Sequence, residues 1–148
     1  MPARFAPFAE LYREMYQKAG HNMSQLQLCI NSHTYIADTS QQAKDEFYPP
    51  YAEVMSRIGR ERGWSGMSRQ QFDASITNQG ALLVGSPQEV VDKILYEHEL
   101  FGHTRFLAQM SIGALPHKQA MRTIELLGTK VAPDVKKYTA SKLTPVKG

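Results

Sequence analysis

Two polar pairs are the residues best placed to do chemistry. Each sits late in an otherwise apolar run. In "CINSHTYIADTS", from Cys29 to Ser40, the pair is Asn31 and His33. In "RFLAQMSIG", residues 105–113, it is Gln109 and Ser111. An imidazole titrates near neutrality, so His33 can carry a proton to or from a reacting group. Asn31, Gln109 and Ser111 offer amide and hydroxyl donors to a ligand carbonyl. A plainer reading stands beside this one: a hydrogen-bonded structural histidine, with neighbours that satisfy one another.

The remaining candidates are weaker. "HELFGH" at 98–103 places its histidines five apart with Gly102 between, whereas a zinc-binding helix needs them four apart, so no metal site is expected. Cys29 has no evident base beside it and is a poor nucleophile. Ser86-Pro87 reads as a helix cap, since no glycine-rich loop surrounds it as a phosphate cradle would require. His117 opens a helix and reads as part of its first turn. Trp64 and Met67 lie in a long irregular stretch, which suits either a lid or a surface loop.

The elements that must position these groups follow from spacing. Phe5, Phe8, Tyr12, Met15 and Ala19 recur at three and four, giving a helix over 2–19 with Gly20 at its stop. Leu26, Leu28 and Ile30 share one strand parity, and Gln27, Cys29, Asn31 and His33 the other, so a strand is predicted over about 26–33. Thr39 or Ser40 caps a helix buried through Ala43 and Phe47, and "YPPY" at 48–51 is expected to interrupt it. Helical spacing resumes at Tyr51, Val54, Met55 and Ile58. Ser68 with Gln71 signals a short helix. A short apolar run, Ala81–Val84, precedes Ser86, Pro87 and Glu89, which form a capping box for a helix buried through Val90, Val91, Ile94 and Leu95. A strand over 105–113 and a last helix from Pro116 to Pro133 complete the chain. Strands separated by helices predict a parallel sheet.

Composition limits the function classes. The 148 residues suit one domain, with 42% hydrophobic and 21% charged residues. The boundary falls at 1–135, followed by a basic tail over 136–148. Five of the 17 basic residues are the lysines of 130–148, so the net +3 reflects the C-terminus rather than a basic face. Nucleic acid is therefore not an expected partner. No apolar run is long enough to span a membrane, and the N-terminus lacks the core of a signal peptide. A single cysteine makes a reducing cytoplasm the default.

The strand set is also too small for what it carries. Phe106, Ala108, Met110 and Ile112 on one side and Leu107 on the other mark a parallel strand covered on both faces. Two or three such strands leave long open edges, so self-association or additional sheet is expected.

"PARFAPFAELYREMYQKAGH", "INSHTYIADTSQQAKDEFYPPYAEVM", "GALLVGSPQEVVDKIL" and "GHTRFLAQMSIGALPHKQAMRTIELLGTKVAPDV" together resemble the C-terminal part of luciferase-like, flavin-dependent monooxygenases. The resemblance runs from about Pro2 to Val135. It implies an α/β fold: a partial TIM-type (β/α)8 barrel made of C-terminal βα units, with parallel strands and an inserted helical excursion. It also implies an oxidoreductase that uses reduced flavin (FMN, or F420) on a small organic substrate. In a barrel, ligands sit at the C-terminal strand ends. That role would fall to His33 as a catalytic group and to Asn31, Gln109 and Ser111 as cofactor contacts, all facing inward. The N-terminal half of the family pattern is absent. The chain alone is therefore expected to be inactive, and its partner is expected to be a second copy or a separate N-terminal half-barrel.

Overall fold

The structure, a computed structural model, describes residues 2–143. After a 3-10 turn at Pro2–Phe5, α1 spans Ala6–Lys18. β1 (Cys29–Ile36), α2 (Ser40–Arg62) and α3 (Arg69–Ser75) follow. Next come β2 (Leu83–Gly85), α4 (Pro87–Phe101) and β3 (Arg105–Gln109). The chain closes with α5 (His117–Leu126), a π-helical stretch at Leu127–Val131, and α6 (Ala132–Leu143). The expected boundary at 135/136 thus falls inside a helix. Of the basic tail, 144–148 lies outside the described residues.

The three strands are parallel, in the order β2-β1-β3. β2 pairs only with Thr34–Ile36. β3 pairs with Cys29–His33, along the opposite edge of β1. This order is not sequential. β3 takes the place that a continuous barrel wall gives to the strand preceding β1.

Strand parity separates two cores. Tyr35, Ala37 and Val84 pack with Ala43, Phe47 and Tyr51 of α2 and Phe72 of α3. Phe47 stacks on both Tyr35 and Tyr51, with ring centroids 5.2 and 5.4 Å apart. Ile36 and Leu83 turn the other way, onto Val90, Val91 and Ile94 of α4, Leu126 of α5 and Val131. Phe106 packs against this second core from the half-buried side of β3.

Several elements differ from the sequence reading. β1 is displaced toward the C-terminus, because its mid-strand polar groups find partners, one of them distant in sequence: Ser32 Oγ donates to the Ala81 carbonyl, and Thr34 Oγ1 to that of Ser32. α2 runs unbroken through Pro49 and Pro50. Each proline costs the helix about 3 kcal/mol, and the aromatic packing of Phe47 and Tyr51 offsets this. The apolar stripe of α1, whose direction the spacing left open, points outward. Phe8 is 67% and Met15 46% exposed, while Ala9 is buried. β3 stops at Gln109, and Ile112 joins the aromatic core instead of continuing the face of Phe106. The last helical segment continues past Pro133, the second residue of α6, which follows the π-helical turn at Leu127–Val131 without a break; that wider turn is where the helix accommodates a residue without an N–H. The capping boxes at Ser68–Gln71 and Ser86–Glu89 form as expected.

Candidate functional site

The parallel register brings two of the four candidate residues together. His33 is paired with Gln109 across β1 and β3, and Asn31 with Leu107. Paired residues point to the same face, the one that α2 roofs further along β1. His33 is half-buried there, its ring edge-on to Tyr51 at 5.6 Å between centroids. Its Nδ1 is buried without a hydrogen-bond partner among the described residues. Burial holds its pKa below the usual histidine value, so the ring is neutral at pH 7. A neutral imidazole offers one donor and one acceptor.

The other candidates are more open. Asn31 and Gln109 are exposed beside His33, with Leu107, 52% exposed, between them. Ser111 is exposed beyond the end of β3, so strand parity no longer aims it. The boundary shift also moves Asn31 and His33 to mid-strand; the C-terminal end of β1 is Tyr35–Ile36. His117 is exposed at the first turn of α5. Sequence reasoning missed Tyr51, which roofs His33. Its signals were the aromatic content of "YPPY" and its place at the head of the resumed helical spacing, and neither pointed to His33.

The weaker candidates take structural places. His98 Nδ1 bonds the His103 carbonyl at 3.0 Å, and the two rings meet edge to face at 5.3 Å. Among the described residues, no three His, Cys, Asp or Glu side chains gather as metal ligands. Glu89 Oε2 accepts from the Ser86 backbone N–H at 2.8 Å, so the N-terminus of α4 is closed by its own side chain. Arg69 is held by Asp45 and Asp73 at 3.1 Å each. Neither feature is free to hold a phosphate.

The face around His33 does fit the edge of a flavin ring. An orphaned imidazole nitrogen and an exposed amide share one patch, and ring N–H and carbonyl groups are their natural partners.

The family model described as luciferase-like monooxygenase matches residues 1–104. The chain belongs to the luciferase-like monooxygenase family. No curated protein sequence matches it significantly. Among solved structures, it is similar to the monooxygenase RslO1 from Streptomyces bottropensis, with TM-score 0.71 and 22% identity over 89% of this chain and 38% of that one. It is also similar to the oxygenating constituent of 3,6-diketocamphane monooxygenase from Pseudomonas putida, solved with FMN (TM-score 0.61, 21% identity, 86% of this chain and 38% of that one). A third is the coenzyme F420-dependent tetrahydromethanopterin reductase from Methanopyrus kandleri (TM-score 0.56, 18% identity, 89% and 42%). This luciferase-like chain therefore spans about two-fifths of the structures it matches. Its fold is part of a (β/α)8 barrel.

Proposed function

We propose that this luciferase-like chain supplies one wall of a flavin site in a cytoplasmic oxidoreductase acting on a small organic substrate. The observation that carries the reading is the His33–Gln109 pairing, with Nδ1 of His33 buried and unpartnered. When bound, a reduced flavin supplies the electrons or hydride of the reaction. His33 would take or return a proton at Nδ1. Gln109 and Asn31 would orient the ring edge, and Ser111 would contact it from the loop after β3. Tyr51 would screen His33 from water. FMN is the first choice of cofactor and F420 the second, as in the two similar enzymes whose names or structures carry them.

The test is titration of oxidised FMN into the protein, following the imidazole C–H of His33 and the side-chain amides of Asn31 and Gln109 by NMR. Saturable shifts at these groups, absent in His33→Ala, are the expected result, with no turnover by the chain alone. No shift at any of them under saturating FMN would remove these residues from the ring.

A second reading is favoured by α1. Its exposed Phe8, Leu11, Tyr12 and Met15 form one continuous apolar stripe. On this reading the chain is a non-catalytic assembly module that pairs with a second copy or with a separate N-terminal half-barrel.

A further inference from the structure

A second apolar concavity lies away from His33 and Gln109. β2 pairs with Thr34–Ile36, so among the described residues Cys29–Ser32 has no strand neighbour on that side of β1. The gap is a groove of about 380 Å3 between the N-terminal segment, β1 and α4. Phe5, Phe8, Ala9, Ile30 and Phe101 supply its apolar walls. That volume is within the range of small-ligand sites.

Glu97 also lines the groove. It is 97% buried, since only 3% of its surface is exposed. Its Oε2 has no hydrogen-bond partner among the described residues. Lys93, one turn earlier on the same helix, attracts the carboxylate but makes its hydrogen bonds elsewhere: Nζ donates to the Thr77 and Leu82 carbonyls at 2.6 Å each. A buried carboxylate oxygen without a donor is costly. Apolar walls also give a bridging water too few partners to hold it. A ligand that brings its own donor into the groove removes the cost, and a charged nitrogen makes the strongest such bond.

We propose that this groove binds a small apolar cation, an aryl- or alkylammonium, whose nitrogen donates to Glu97 Oε2 while its hydrocarbon body lies against Phe5, Phe8 and Phe101. The site is independent of the flavin reading, sharing only Asn31 with that face, and it shares Phe8 with the exposed stripe of α1.

The probe is 2-phenylethylammonium, titrated at pH 7 by calorimetry and amide chemical shifts, with 2-phenylethanol as its uncharged counterpart. The proposal expects saturable one-to-one binding, with shifts at Ala9, Ile30, Glu97 and Phe101. It expects the alcohol to bind about tenfold or more weakly, about 1.4 kcal/mol or more. Glu97→Gln, which keeps the shape, should lose about tenfold in affinity for the ammonium. Ala81→Trp, filling the groove from its exposed rim, should abolish binding with Glu97 intact. Circular dichroism of both variants reports that they fold. Equal affinity for alcohol and ammonium, full affinity in Glu97→Gln, or no saturable binding would overturn the proposal.

Discussion

At the scale of single residues, Thr123 substitutes for a strand. It is fully buried on α5. Its Oγ1 donates to the Ile36 carbonyl at 2.9 Å and accepts from the Ile36 N–H at 3.2 Å. β3 has already ended at the level of His33, so this hydroxyl satisfies the last backbone groups of β1 on that side. Thr123→Val keeps the shape and removes both bonds. It should cost about 1–3 kcal/mol, measured as a fall in the urea midpoint at unchanged slope. His103 makes a different prediction. It is buried against His98 and Phe106, and its Nδ1 has no hydrogen-bond partner among the described residues. Burial, with a smaller contribution from the neighbouring His98, pushes its pKa down to about 4, from 6.5. As pH falls through 6.5 the unfolded chain takes up a proton that the folded chain refuses until about pH 4. Stability should therefore decline across that window. His103→Gln, which cannot titrate, should show a shallower decline in urea midpoint between pH 6.5 and 4. Neither role was visible in the sequence. A threonine amid helical spacing looks like any helix residue, and "HELFGH" shows histidines without showing that they meet. The register that joins His33 to Gln109 was likewise invisible, because pairing between segments about 75 residues apart is decided by packing.

At the scale of elements, local chemistry read well and long-range chemistry read poorly. The capping boxes, the stops at Gly20 and Gly102, and the buried side of α4 all follow from residues within one turn of each other. The misjudged ends of β1, α2 and β3 each depend on a distant partner: Ala81 for β1, the aromatic core for α2, and α2 itself for β3. Gly113 shows the last of these. Its φ is +54°, and a Cβ there would lie 2.8 Å from Val54 Cγ2 and 3.1 Å from the Pro50 carbonyl oxygen. The turn after β3 therefore presses on α2 just where the two prolines lie. Gly113→Ala is both strained and crowded, and should release Ile112 from the aromatic core. Faster amide exchange over 110–115 and a lower urea midpoint than wild type are the expected readouts.

At the scale of the whole molecule, parallel strands and helices on both faces were legible from alternation alone, as was the shortage of sheet. The strand order was not, since nothing local tells β3 which edge of β1 to join. The outward direction of the α1 stripe was not legible for a related reason: spacing reveals an apolar face but not whether anything covers it. On the assembly reading, the exposed Phe8, Leu11, Tyr12 and Met15 would drive association in water. The protein should therefore sediment as more than a monomer at micromolar concentration. Leu11→Glu, on that exposed stripe, should return it to a monomer without lowering its urea midpoint. A wild-type monomer would count against the assembly reading and leave the flavin wall in place.

The lodging of β3 against β1 carries a kinetic implication. Five residue pairs, Cys29–Arg105 to His33–Gln109, fill the slot that an incoming parallel segment would need. Completion of the cylinder would then proceed by strand exchange, with the resident displaced before the newcomer zips in. Its pace would follow local fraying of β3 rather than the frequency of collisions.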